Sequence, residues 1–580
     1  MGGAASDLGL RAAWPLSDRG TAVQRPAGAR GADSPDARHV SRVPGDGEGL
    51  GGHGVARFRA AVWQQQASIG VLGVLVVAAI LRTLRLDTFP PGLYADVAAN
   101  GIDALRLPHH GLQVIYARGT GNGIEGMISW LDAVSVALVG GKPIALYLTT
   151  VVIGLVTLPV HYLLGSRLFG RRVGLISTAL LAVSFWAVHY SRLGYRTVLV
   201  PLFLDLAFLL LWWAVQRGSA WRWGLAGAVI GLGAYTYTSY RLVVLVLAGV
   251  IVLRIRAGRE LPGSRLSWAL FALTATVVMV PLGIATLLDP QVLNRAAGVS
   301  VLGGGPVLGI PGRVADHTLR ALAAFNLWGD AERQYNVPHL PLFDPLVGLA
   351  FLAGIVVAFR RWRESRYALL LIWLGVFTLV VALSDRTPHM LRGSGLVPAA
   401  FLLAAVGLDA VLQKLWPRRA ALAATAVWVV SLAWTATFYF AVYPTLPNLY
   451  LEYMGDRVDV GRFIDASDWY GRQLYVGITY TRNGKVNPDP FRATPIQYMT
   501  EGHVAWTFLD YRRVGDLPAG VPIAVVVDAK DSFLLAKLAQ RFPDGRVAYI
   551  LPLPQRPVVV FLHDAGGPFH PASIGPYSNW

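Results

Sequence analysis

The chain contains no cysteine. Disulfides, thiolate nucleophiles and cysteine-bound metals are therefore excluded. Lysine is nearly absent, confined to Lys142, Lys414, Lys485, Lys530 and Lys537. Charge of either sign is scarce, at 15% of 580 residues, where soluble domains carry about a quarter. No Walker-type phosphate loop occurs, and no Gly-rich dinucleotide fingerprint follows a strand pattern. That argues against a nucleotide-sugar donor and against ATP-driven transport. No internal repeat with a period of about 20–50 residues is evident.

What is present is apolar. Hydrophobic residues make up 54% of the chain, in long runs that mark a polytopic membrane protein. The net charge of +17 does not point to nucleic acid, because the basic residues sit in short clusters between apolar runs. Residues 1–66 are rich in Gly, Ala, Arg, Asp and Pro, lack apolar periodicity and read as a disordered tail. The first apolar run comes too late for a signal peptide. Arg57 and Arg59 precede it, which makes the tail cytoplasmic.

The runs predict about eleven spans, near 68–86, 143–164, 173–190, 195–215, 223–240, 242–258, 267–288, 343–359, 367–384, 393–413 and 420–442. Basic clusters follow alternate spans: Arg167, Arg171 and Arg172; Arg217 and Arg222; Arg254 to Arg265; Arg360 to Arg366; Lys414, Arg418 and Arg419. All five face the cytoplasm if eleven spans alternate, and the C-terminus then lies outside. Residues 124–139 are apolar but short, and carry Glu125 and Asp132. They read as a juxtamembrane or re-entrant helix on the outer side; counting such segments as spans would give twelve or thirteen. The expected layout is a cytoplasmic tail over 1–66 and a helical membrane domain over 67–442, with outer loops at 87–142 and 289–342. A small extracytoplasmic α/β domain follows over 443–580. In it, Gln473–Tyr480, Pro522–Val527, Val547–Leu551 and Val558–Leu562 read as strands, and Ser532–Arg541 as a helix.

Polar residues collect at the outer ends of the spans. In Phe89–Leu105, Pro90, Pro91 and Gly92 stop any helix, Asp96 follows, and an apolar helical pattern resumes. Other outer turns are His189–Arg196, Tyr235–Arg241, Phe325–Asn336 and Ser384–Arg392. Transfer of a sugar from a lipid phosphate would use such a set. Arginine or histidine holds the phosphodiester charge, a carboxylate accepts the proton of an attacking hydroxyl, and aromatic faces meet the sugar. Each residue type also has a plainer use. Arg196 and Arg241 can snorkel to headgroups, and Tyr235, Tyr237 and Tyr240 suit an interfacial belt. His109 and His110 match no metal-ligand spacing, so no cofactor is expected and a divalent metal is not indicated.

The order and spacing of Pro90–Leu105, Glu125, Arg167–Arg171, His189–Arg192, Gly233–Arg241, Phe325–Asn336 and Pro388–Pro398 resemble glycosyltransferase family 39 of the GT-C superfamily. That group includes protein O-mannosyltransferases and aminoarabinose transferases. The resemblance covers roughly residues 68–442. It implies an inverting membrane glycosyltransferase with Asp96 as base and Glu125 in the catalytic centre. Val97 stands where many members carry Glu, and Gly126 where Lys is frequent. Donor-phosphate contacts are then expected from Arg192, Arg392 and His389, with His189, Arg196 and Arg241 beside them. Asn326 and Asp330 are expected at the sugar or acceptor. The implied partners are a polyprenyl-phosphate-sugar donor, a protein, lipid or glycan acceptor, and the lipid bilayer of the plasma membrane; nucleic acid is not among them. Two other classes compete. A transporter or lipid flippase needs mid-span ionisable groups, of which Asp205 is the clearest. A non-catalytic scaffold is compatible with Val97 and Gly126.

Overall fold

The computed structural model describes residues 69–117, 123–289, 300, 309–482, 485–563 and 568–574; the tail expected over 1–66 lies outside them. Apolar sequence at each expected span position forms helix. In chain order these are α1 (Ile69–Thr83), then α2 (Ala95–His110), a hairpin of β1 (Ile115–Ala117) and β2 (Gly123–Glu125), and α3 (Met127–Val139). Next come α4 (Pro143–Phe169), α5 (Arg171–Val183), α6 (Phe185–Tyr190), α7 (Leu199–Arg217), α8 (Ala220–Gly233), α9 (Val243–Arg256) and α10 (Arg265–Leu288). The set closes with α11 (Ile310–Asn326), α12 (Pro345–Arg360), α13 (Ser365–Ala382), α14 (Val397–Leu415) and α15 (Ala420–Ala436). Seven of these, α4, α7, α9, α10, α13, α14 and α15 with adjoining turns, are long and apolar enough to cross a membrane. On α10 only Ser267 and Leu282 are buried, so its apolar surface needs lipid rather than water around it.

Three details depart from a plain span count. The run over 173–190 breaks at Ser184, whose extended backbone separates α5 from α6. The segment after Glu125 is a helix of 13 residues, about 20 Å long, against about 30 Å of hydrocarbon. The second long loop contains α11, which was not expected. Its Ala321, Ala324 and Phe325 are buried on one face, while Arg313, Asp316 and Arg320 keep its average polarity too high to register as a span.

Residues after 443 form α16 (Gly455–Ala466), α17 (Thr494–Thr500), α18 (Ser532–Arg541) and a sheet. Its strands are β3 (Gln473–Gly477), β6 (Thr507–Phe508), β7 (Ile523–Asp528), β8 (Arg546–Leu551) and β9 (Val558–His563), ordered β6-β3-β7-β9-β8. A separate hairpin joins β4 (Thr479–Arg482) to β5 (Lys485–Pro488). β3 runs parallel to β6 and β7, and β9 runs antiparallel to β7 and β8. β7 is buried on both faces. Ala524 and Val526 enter one core, and Ile523, Val525 and Val527 enter another, following the two-residue period of a strand.

This region is fastened to the start of α2. Gly92 has φ +154, and a Cβ there would lie 2.3 Å from the Tyr453 carbonyl oxygen. The Tyr147 hydroxyl donates to the Gly92 carbonyl. Tyr498 of α17 lies over Gly101 of α2, where a Cβ would come within 2.5 Å of the ring. Arg106 forms two hydrogen bonds to Glu501, of 2.6 and 3.1 Å.

Candidate active site

Asp96 sits in the first turn of α2 and is half-buried. The partial positive charge of a helix N-terminus favours a carboxylate there. Arg192 and the glycine-tight turn set the angle of this helix. Arg192 is wholly buried and donates to the carbonyls of Leu81 (2.9 Å), Leu84 (2.8 Å) and Phe89 (2.9 Å), and to the Tyr439 hydroxyl (3.0 Å). Its guanidinium thus ties the end of α1 to the proline turn. It is placed as a positioning residue and does not face the site.

Around Asp96 stand phenols from three separate segments. Tyr94 and Tyr195 have ring centroids 6.2 Å apart, and Tyr195 and Tyr335 6.0 Å. Burial, followed by the Asp96 charge, pushes the Tyr94 hydroxyl up to about 12. Burial, neighbouring phenols and Asp96 raise Tyr195 and Tyr335 as well. These tyrosines therefore stay protonated and can donate hydrogen bonds. The loop bearing Tyr335 is held firmly. Gln334 donates to the Tyr195 hydroxyl, and the Tyr453 hydroxyl donates to the Gln334 carbonyl at 2.6 Å. Phe491, from the C-terminal region, packs edge-on to Tyr94 at 6.2 Å.

Next to the phenols lies a charged cluster. Glu125, at the end of β2, is buried and accepts from Arg241 Nη2 (2.9 Å) and the Thr238 hydroxyl (2.8 Å); Arg196 Nε is 3.6 Å from its other oxygen. Burial works to raise the Glu125 pKa, but the charges of Arg196 and Arg241, together with the hydrogen bonds it accepts, outweigh it and hold the group below the usual carboxylate range. The Arg196 guanidinium also lies 5.0 Å from the centroid of Tyr237, and Tyr237 contributes to the field at Tyr335. The Asp96 phenols and the Glu125 arginines are therefore one neighbourhood.

On its other side Tyr335 stacks on His389 at 5.1 Å. Burial first, then Arg392 and Arg386, lowers His389 to about 3, so it is neutral at physiological pH. Asp330 accepts the backbone N–H of Glu332 and of Met390, both at 3.0 Å, which joins its loop to the His389 turn. Burial raises Asp330 to about 6. Arg392 pairs with Asp385 at 2.5 Å. A cavity of about 310 Å³ opens here, lined by His317, Asp330, Glu332, Arg386 and His389.

The fold thus brings Asp96, Glu125, Arg196, Arg241, Asp330, His389 and Arg392 to one end of the helical region. It does not bring three others to that face. Arg192 holds the proline turn. His189 is buried among Phe185, Tyr439 and Tyr443, with Nε2 3.2 Å from the Gln334 carbonyl. Asn326 donates to the Gly348 carbonyl at 3.1 Å, locking α11 to α12. Asp205, the residue a transporter would use, meets His161 (2.9 Å), which meets Ser177 (2.7 Å); all three are fully buried and link α7, α4 and α5. Sequence reasoning passed over Tyr94, Tyr195, Tyr335 and Phe491. The signal for the first three was proximity: each lies within a few residues of an acidic or basic position already singled out. Phe491 had none, because its contact with Tyr94 joins residues far apart in the chain.

A family model described as Dolichyl-phosphate-mannose-protein mannosyltransferase matches residues 126–284. Comparison with curated proteins finds no match. Among solved structures, the chain is similar to ArnT from Cupriavidus metallidurans bound to undecaprenyl phosphate, at 16% identity and TM-score 0.52, over 87% of this chain and 98% of that one. It is also similar to the Archaeoglobus fulgidus oligosaccharyltransferase in its apo form, at 12% identity and TM-score 0.49, over 82% and 71% of the two chains. The ArnT likeness is one of fold: this chain shares the multi-pass helical architecture of that structure, with a sheet-containing region after it.

Proposed function

We propose that the protein is an inverting glycosyltransferase that moves a sugar from a polyprenyl-phosphate carrier to an acceptor hydroxyl at the outer face of the plasma membrane. The observation that carries this reading is the juxtaposition, across Tyr195, Tyr237 and Tyr335, of Asp96 with the Glu125–Arg196–Arg241 cluster. An Asp96 oxygen takes the proton of the acceptor hydroxyl as that oxygen bonds to the anomeric carbon. The bond from that carbon to the phosphate oxygen breaks on the opposite face, and polyprenyl phosphate leaves. The benefit of Asp96 comes from position and from coupling proton loss to bond formation.

Arg241 is the best-placed cation for the leaving phosphate. Its side chain is 26% exposed, it meets Glu125 through Nη2, and its Nε has no hydrogen-bond partner among the described residues. Neutral His389 and the protonated tyrosines suit hydrogen bonds to sugar hydroxyls. The fold relative bound to undecaprenyl phosphate supports a lipid phosphate in such an architecture. The N-terminus is cytoplasmic and residues 443–580 are extracytoplasmic in this reading. Purified protein should release free polyprenyl phosphate from a labelled polyprenyl-phosphate sugar and should ignore nucleotide sugars. Movement of the intact lipid across vesicles without turnover would contradict it.

A further inference from the structure

We propose that the membrane region carries an internal binding site for a small monovalent anion of chloride size, independent of the glycosyl-transfer reading. The site is a cavity of about 40 Å³ where α1, α4 and α6 meet the segments leading into α7 and α14. That volume is room for two or three water molecules or one small anion.

Arg82, Thr197 and Ser394 are the lining groups that point to an anion. Arg82 is 1% exposed; its Nη1 donates to the carbonyls of Ala182 (2.8 Å) and Ala78 (3.2 Å), while its Nε is buried with no acceptor among the described residues. The Thr197 and Ser394 hydroxyls are likewise buried and without a hydrogen-bond partner among those residues. All three residues line the same cavity, and all three groups can donate. Gly154 packs closely here: a Cβ there would stand 2.6 Å from Ser191 Cβ and 3.5 Å from Arg82 Nε.

Charge separates an anion from water as occupant. Among the described residues no carboxylate lines the cavity. A second guanidinium, Arg192, is anchored on the carbonyls of Leu81 and Leu84, on either side of Arg82. Among the described residues neither arginine forms an ion pair with an acid. Two buried cations with only neutral acceptors carry a large desolvation cost, which an anion offsets and a water molecule does not. The rest of the wall is mostly apolar, including Leu158, Leu181, Val198 and Val397, with Thr157, Trp186 and Tyr190 adding further groups that can donate. Apolar walls with a few N–H and O–H donors suit a weakly hydrated halide better than a multivalent oxyanion.

The deciding experiment is anomalous diffraction from crystals of the full chain grown with bromide in place of chloride. A bromide peak within hydrogen-bond reach of Arg82 Nε is expected. Its absence overturns the proposal and leaves water as the occupant. In solution, the thermal midpoint should be higher in chloride than in gluconate at equal ionic strength. The Thr197→Val/Ser394→Ala double variant should lose that difference and melt below wild type. If the hydroxyls are merely unpaired, removing them relieves a penalty and the double variant melts above wild type, which also overturns the proposal.

Discussion

Glu125 and Asp330 lie in one site and titrate in opposite senses. Glu125 is held below the usual carboxylate range, so its contribution to stability is present above its unfolded value, about 4.3, and is lost as pH falls through the lower folded value. Asp330 is raised to about 6 by burial. The folded state then binds its proton more tightly, and stability falls as pH rises from about 4 to about 6, by about 3 kcal/mol. Chemical unfolding in detergent should show both slopes, and Asp330→Asn should flatten the upper one. The two arginines named from sequence should separate in a similar way. Arg192→Gln strips donors from three backbone carbonyls and should lower the thermal midpoint sharply. Arg241→Gln leaves Glu125 with Arg196 and the Thr238 hydroxyl and should lower the midpoint less than Arg192→Gln does, while kcat/KM for the donor drops about tenfold or more, equivalent to about 1.4 kcal/mol per factor of ten. Sequence alone could not sort them, because an arginine at a span end looks the same whether it turns inward to carbonyls or outward to a ligand.

At the scale of the element, α2 is the part on which the site depends. Gly194 has φ +75, and a Cβ there would come 2.4 Å from Val97 Cγ1, one residue after Asp96. Gly194→Ala should cost about 1–3 kcal/mol through the strained backbone alone, with more from the clash, and should reduce transfer by moving α2. Val97→Ala in the same chain should restore the part due to the clash and none of the part due to φ, a non-additivity that unfolding measurements on the four proteins would reveal. The elements themselves were largely legible. The apolar runs marked the span helices, and α18 begins and ends at the residues expected for it, Ser532 and Arg541. The short hairpin before Glu125 and the polar helix α11 were not, since the first has three-residue strands and the second is stabilised by packing, not by its composition.

At the scale of the whole molecule, the absence of cysteine makes topology directly measurable. Arg418 and Gln540 are exposed at positions assigned to opposite sides of the membrane. Gln540→Cys should react with an impermeant maleimide in intact cells, and Arg418→Cys only after permeabilisation; the reverse pattern would invert the topology. The folded chain also explains why the C-terminal region is more than an appendage. Phe491 meets Tyr94, and Tyr453 closes on Gly92, so this region completes the wall beside Asp96 and fixes the turn that precedes it. Those contacts join residues hundreds of positions apart and left no local trace in the sequence. The measurement that bears most directly on the central claim is sugar transfer by Asp96→Asn, assayed beside donor binding in the same preparation. The account predicts donor binding close to wild type and transfer reduced by about 10²–10⁴-fold, the usual contribution of a positioned base. Transfer at the wild-type rate in that variant would contradict it.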